Sequence, residues 1–239
     1  MTAIVDIAAR DRAAPPHAVD REELERSLLT HIAERDFPCV GAKSALAKGS
    51  LRIVSAWSLA SAWDDLTIHR ELLEWSAAFN RDPDGLRSLA VVFEGPTDLN
   101  EVQFERLMWE RLQSLANKDE WLGQPYDSKV SPDPSDPHFS LSFGGQGYFV
   151  VGLHPHASRP ARRTPYPTLV FNLHEQFEQL REENRYERMR ERIIERDVAL
   201  AGSPNPMLAR HGETSEARQY SGRAVGGDWE CPFADPRLP

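Results

Sequence analysis

The chain has 239 residues, 40% hydrophobic and 27% charged, the balance of a folded globular protein rather than a disordered or fibrous one. Its net charge of −9 argues against nonspecific nucleic-acid binding, which draws on basic surfaces. No apolar run approaches the roughly 20 residues of a membrane span.

Residues 1–19 carry scattered charges and no signal-peptide core, which predicts a mobile arm ahead of one domain over 20–239, in a cytoplasmic protein. Asp20 to Glu34 places Leu24, Leu28, Leu29 and Ile32 at a helical period. Phe37-Pro38-Cys39-Val40-Gly41-Ala42-Lys43 follows and opens a second helix through Ser44–Ala47. A Cys, one residue and a Gly at a helix start is a spacing that suits a heme-thiolate ligand. The free N–H groups and dipole stabilise a negative sulfur, and Gly41 would let amides approach it. The plain alternative is a packed, inert Cys39. The other cysteine, Cys231, lies far away in sequence, so a reduced compartment fits better than a disulfide.

Ser50 to Ala56 is β-compatible, and Asp64 opens a helix whose buried side is read as Leu66, Leu72, Leu73, Trp75 and Phe79. Leu86 to Glu94 reads as a buried strand. Asp98 with Glu101 resembles a capping box for a helix running to about Asn117. Gly144-Gly145 between His138–Phe143 and Gln146–Leu153 signals a hairpin. Thr168–Asn172 is a further strand, with helices at His174–Leu180 and Tyr186–Leu200, and from Gly202 onward turn residues dominate. Strands and helices mix without a strict βαβ rhythm. The expected fold is therefore α+β, a mixed sheet with helices packed on it and a long irregular C-terminal segment.

Three constellations could carry chemistry. His154-Pro155-His156 follows one strand and His174-Glu175 the next. Three imidazoles and a carboxylate could bind non-heme iron or zinc, although Pro155 breaks the strand that would align the first two. Arg159, Arg162 and Arg163 in a Pro-bounded loop could clamp an anion: a heme propionate, a phosphate or a substrate carboxylate. Glu175 and Glu178 share a helix face and could grip a guanidinium, whereas Glu182 and Glu183 read as a solvated face. The stretch containing Arg218, Tyr220 and Arg223 has the composition of a site-lining loop. Trp229 and Phe233, around Cys231-Pro232, read as anchors that dock the C-terminus.

Together these segments resemble the YqcI/YcgG family, which includes heme-dependent N-hydroxylases of guanidine compounds. The resemblance is carried by Phe37–Lys43, Gly152-Leu153-His154-Pro155, Ser158-Arg159, Ala161-Arg162-Arg163, Thr168–Glu178, Asn205–Leu208, Glu216–Arg223 and Cys231-Pro232-Phe233. It implies heme b, dioxygen or peroxide chemistry with an electron donor, and N-hydroxylation of arginine or a related small guanidino compound. A homodimer is compatible with it. In that setting Cys39 is the expected axial ligand, with His174 or His154 as rivals or as distal proton donors. Gly41, Lys43, Arg159, Arg162 and Arg163 are expected around the cofactor. Glu175, Glu178, Arg218, Tyr220 and Arg223 are expected around the substrate. A non-heme iron oxygenase built on His154, His156 and His174, and a non-enzymatic heme sensor or carrier, are the alternatives.

Overall fold

A computed structural model describes residues 19–83, 85–208 and 212–238. The expected N-terminal arm lies outside them, apart from Val19, whose amide donates to Glu94 Oε1 at 3.0 Å.

Helices α1 (Arg21–Ala33) and α2 (Val40–Ala47) come first, then strand β1 (Leu51–Ser58), α3 (Asp65–Arg81), β2 (Ser88–Gly95) and α4 (Glu101–Trp121). The hairpin β3 (Leu141–Phe143) and β4 (Gln146–Leu153) turns at Gly144 and Gly145, both at positive φ, as a two-residue hairpin turn requires. A 3-10 turn at Pro160–Arg162, β5 (Thr168–Leu173), α5 (His174–Glu182), α6 (Tyr186–Ala201) and the single turn α7 (Ala217–Tyr220) complete the order. The five strands form one sheet in the order β1-β2-β5-β4-β3, parallel between β1 and β2 and antiparallel elsewhere. This is the mixed α+β architecture expected from the sequence.

Two details differ from expectation. Helix α4 is capped by Asn100 and Gln103, which bond reciprocally to each other's backbone amides, rather than by Asp98 and Glu101. Leu66 is 64% exposed. The inward face of α3 is instead Asp65, Ile68, His69, Leu72, Ser76 and Phe79, because buried Asp65 is drawn in by Arg111, Ser114 and Lys118 of α4.

The two faces of the sheet are filled unequally. Toward α3 and α4, Leu89, Val91, Phe93, Tyr148, Val150, Leu169, Phe171 and Leu173 are all buried to 1% or less. Burial of a large aliphatic or aromatic side chain contributes about 1.5–3 kcal/mol, so this face dominates stability. On the other face, under α1 and α2, Leu24, Leu28, Ile32 and Phe37 cover Ala90, Val92 and Leu153. There Val151 of β4 and both Val170 and Asn172 of β5 are only half-buried. Strand β5 is the middle strand of the five, so its exposure means that the helical layer leaves the sheet's centre partly open on this side.

Candidate functional site

Cys39 is the N-cap of α2. Its Sγ accepts the Ala42 amide at 3.4 Å, and the Gly41 amide also faces the sulfur. Burial pushes the thiol up from its ordinary value, against the pull of those two amides. The free side chain is therefore a thiol at neutral pH, and a metal would have to displace its proton. Cys39 is one of the partly buried residues, with Ala42, Leu46, Leu51, Ile53, Val151 and Val170, that pack against the apolar cluster under α1 and α2. A sulfur with amide donors at a helix start, in the same apolar cluster as partly buried Val151 and Val170, has the features that a thiolate-held planar apolar cofactor needs. Gly41 is not required there by crowding. An added Cβ would sit 3.7 Å from Leu86 Cδ1, 3.8 Å from Cys39 Sγ and 3.9 Å from Met189 Sδ, which are ordinary contacts. Lys43, expected near the cofactor, is engaged with the chain: its Nζ donates to the carbonyls of Glu34 and Arg35 and closes the end of α1. Cys231 is also a free thiol, pushed up to about 12 by burial.

The three arginines do not form an anion clamp. Arg159 pairs with Asp197 and donates to the Ser203 carbonyl at 3.0 Å. Arg162 donates to the carbonyls of Gly152 at 3.1 Å, Tyr220 at 2.9 Å and Gln219 at 2.8 Å. Arg163 donates to the carbonyls of Ala157 at 2.7 Å and Ser158 at 2.8 Å. Their forks satisfy buried chain oxygens, a purpose that residue spacing does not reveal. Burial brings Arg162 down to about 10, still charged at neutral pH.

The three histidines do not converge either. Strands β4 and β5 are antiparallel, with Leu153 opposite Thr168 and Tyr148 opposite Leu173. His154 thus leaves one end of the pair and His174 the other, about 20 Å apart for a six-residue strand. Among the described residues no group of His, Cys, Asp and Glu assembles a metal site. His154 is 1% exposed and stacks on Phe104 at 4.3 Å between ring centroids. Burial brings it down to about 4, so it is neutral. His156 is exposed and lines an open groove of about 530 Å³ with Asp98, Asn100, Glu101, Val102 and Arg223.

His174 lies at the same end of the sheet as Cys39. Ser88 pairs with Asn172 just before it, and Leu86, two residues before Ser88, lies against Gly41. Both of its ring nitrogens are engaged: Nδ1 lies 3.2 Å from Ser140 Oγ and Nε2 lies 3.0 Å from Glu178 Oε1. In this structure both nitrogens therefore serve the chain's own partners rather than an open site. Glu175 pairs with Lys129 at 2.6 Å, and Glu178 also pairs with Arg181, whose guanidinium stacks over Tyr186 at 4.4 Å. The two carboxylates do bind cations, one of them a guanidinium, but these cations come from the chain itself.

The substrate-side residues of the tail are instead its fastenings. Glu105 of α4 accepts from Arg223 Nη2 at 2.7 Å and Nε at 2.9 Å, from Ser221 at 2.8 Å and from Trp229 Nε1 at 3.0 Å. These donors hold its carboxyl below the usual range despite burial. Arg218 donates to the carbonyls of Gly226 and Trp229. Phe233 is buried in the main core, as expected of a docking anchor. Tyr220 is fully buried and donates to Glu216 Oε1 at 2.6 Å. Glu216 was not singled out from the sequence. It also accepts from Ser140 Oγ at 2.6 Å, and burial raises it to about 7.

The YqcI/YcgG family profile matches residues 27–234. A Bacillus subtilis (strain 168) protein described as "Uncharacterized protein YqcI" is 29% identical over 212 residues, which is 84% of this chain and 81% of that one. No solved structure matches.

Proposed function

The chain belongs to the YqcI/YcgG family, and from that membership and the setting of Cys39 we propose that it is a heme-dependent monooxygenase that N-hydroxylates arginine or a related small guanidino compound. The observation that carries the reading is the Cys39 sulfur. It sits at a helix N-terminus, is approached by two amides, and belongs to the apolar cluster that also takes in partly buried Val151 and Val170 of the sheet. Cys39 would hold the iron as a thiolate, giving up its proton on binding. The amides of Ala42 and Gly41 would keep hydrogen bonds on the sulfur and moderate its charge. Half-buried Val151 and Val170 would face the apolar macrocycle. The heme would supply dioxygen activation.

The carboxylates of Glu175 and Glu178 would hold the substrate guanidinium by exchanging Lys129 and Arg181 for it, a swap of like for like at Glu178. Positioning of one nitrogen is then the protein's main contribution. In the overall reaction one oxygen atom of dioxygen enters the N–H bond to give N–OH, and the other leaves as water. This takes up two protons and two electrons from a reduced redox protein or small reductant. Peroxide would supply both electrons and one oxygen directly.

The test is purification from heme-supplied cells, followed by incubation with arginine, dioxygen and a reductant, with mass analysis of the product. A Soret band with a product heavier by one oxygen atom is expected. A Soret band without any guanidino product would favour the heme sensor or carrier. A protein that takes up no heme would remove the reading.

A further inference from the structure

The seam between β3, α5 and α7 contains a chain of side chains of which the proposed reaction uses only the last, Glu178. It runs from Tyr220 and Glu216 through Ser140 and His174 to Glu178. Ser140 is fully buried and His174 is 9% exposed, whereas Glu178 is half-exposed at 36% of its side chain. The path thus leads from the interior to the surface of α5.

Count the hydrogens. Three contacts need a hydrogen between their atoms: Glu216–Ser140 at 2.6 Å, Ser140–His174 at 3.2 Å and His174–Glu178 at 3.0 Å. Ser140 supplies one hydrogen through its hydroxyl. A neutral imidazole supplies one, and an ionised Glu216 supplies none. Two hydrogens cannot fill three contacts, so the ordinary neutral-pH forms leave one pair of bare atoms facing each other. One extra proton completes the path.

We propose that Glu216, Ser140 and His174 form a proton-binding site that stores a single proton at neutral pH and passes it along the wire toward Glu178. In one form Glu216 is a neutral acid donating to Ser140 Oγ. Ser140 donates to His174 Nδ1, and His174 Nε2–H donates to the Glu178 carboxylate. In the other, the proton has left Glu216 through Ser140. The Ser140 hydroxyl then donates to the Glu216 carboxylate, and both nitrogens of the charged His174 donate outward. No net charge is gained or lost between the two forms. The single hydrogen of the Tyr220 hydroxyl has two acceptors within reach, Glu216 Oε1 at 2.6 Å and the Tyr148 carbonyl at 3.1 Å.

The surroundings favour keeping the proton. Facing Glu216 are Tyr220 on its own turn, Tyr126 from the loop before β3, and Glu178 and Arg181 from α5. Facing His174 are Glu178, Glu175, Arg181 and Asp127. Carboxylates outnumber cations around the wire, and Arg181 is already paired with Glu178. Burial raises Glu216 and lowers His174, so the proton rests mainly on the carboxyl end. The wire itself is set by hydrogen-bond geometry, its charged surroundings decide where the proton rests, and neither depends on which reaction the protein catalyses.

The test follows both ends of the wire in the intact chain. Infrared spectra of the unaltered protein between pH 5 and 9 should show a protonated-carboxyl band lost near neutrality, and Glu216→Gln should remove it. Nitrogen NMR of His174 should titrate with the same midpoint, because one proton serves both groups. In Ser140→Ala the two midpoints should separate. Different midpoints in the unaltered protein, or no protonated-carboxyl band at pH 6, would overturn the proposal. Neither reading requires a variant to fold.

Discussion

Replacing Glu105 with Gln should loosen the whole C-terminal segment. The carboxylate accepts four hydrogen bonds, two of them from the Arg223 fork, with Ser221 and Trp229 supplying the others. An amide keeps one acceptor oxygen and turns an NH2 toward donors at the other position. Two donors then face a donor, and Arg223 loses its counter-charge. Hydrogen bonds to charged groups contribute about 1.5–3 kcal/mol each, and breaking a buried charged pair costs about 3–5 kcal/mol. The Arg223 side chain is 25% exposed and recovers some hydration. A loss of about 3 kcal/mol is therefore expected, or roughly 6–12 °C in Tm for a chain of this size. Urea unfolding followed by circular dichroism measures it, and limited proteolysis should cut first between Tyr220 and Phe233. A loss under about 1 kcal/mol with an uncut tail would refute the idea that Glu105 fastens this segment.

Arg162→Lys should destabilise by about 2–4 kcal/mol, since one ammonium cannot reach the three carbonyls that the fork serves. An unchanged melting curve with altered heme retention or KM would instead restore the anion-clamp role. Gly152→Ala should cost about 1–3 kcal/mol, because the new Cβ would lie 2.7 Å from Phe104 Cε1 and 3.1 Å from the Tyr220 carbonyl. Equal stability in a denaturant titration would contradict that packing. His154 sits near 4 in the folded chain, so the unfolded chain takes up a proton first as pH falls below about 6.5. Its contribution is complete above that pH and is lost as pH falls toward 4, by about 3 kcal/mol. His154→Gln should flatten this acid limb in melts taken from pH 7 to 4, and an unaltered limb would assign it to other groups.

The strands and main helices were legible because their signals are local. Gly144-Gly145 marks a hairpin, and Leu24, Leu28 and Ile32 mark a helix face wherever they occur. The site was less legible because its residues are defined by partners distant in sequence. Arg159, Arg162 and Arg163 look like an anion site until the carbonyls of Gly152, Gln219 and Tyr220 and the carboxylate of Asp197 are seen to occupy them. His154 and His174 look like one cluster until the antiparallel pairing of β4 and β5 sends them to opposite ends. Glu216 entered only as the first residue of the Glu216–Arg223 segment and Ser140 only as part of a strand, since neither residue type at those places marks chemistry by itself. What could have flagged them is burial, which composition does not reveal. Leu66 shows the converse: the apolar pattern of α3 is overridden by Asp65, whose partners on α4 rotate the helix. The place of Cys39 at the start of α2 was legible because a helix start is a local signal.

The most direct measurement is the absorption spectrum of the ferrous, carbon-monoxide-treated protein beside that of Cys39→Ser. The account predicts that the unaltered protein binds heme and gives the strongly red-shifted band of thiolate ligation, and that the variant loses this band while keeping its fold. A histidine-type band that Cys39→Ser leaves unchanged would contradict it.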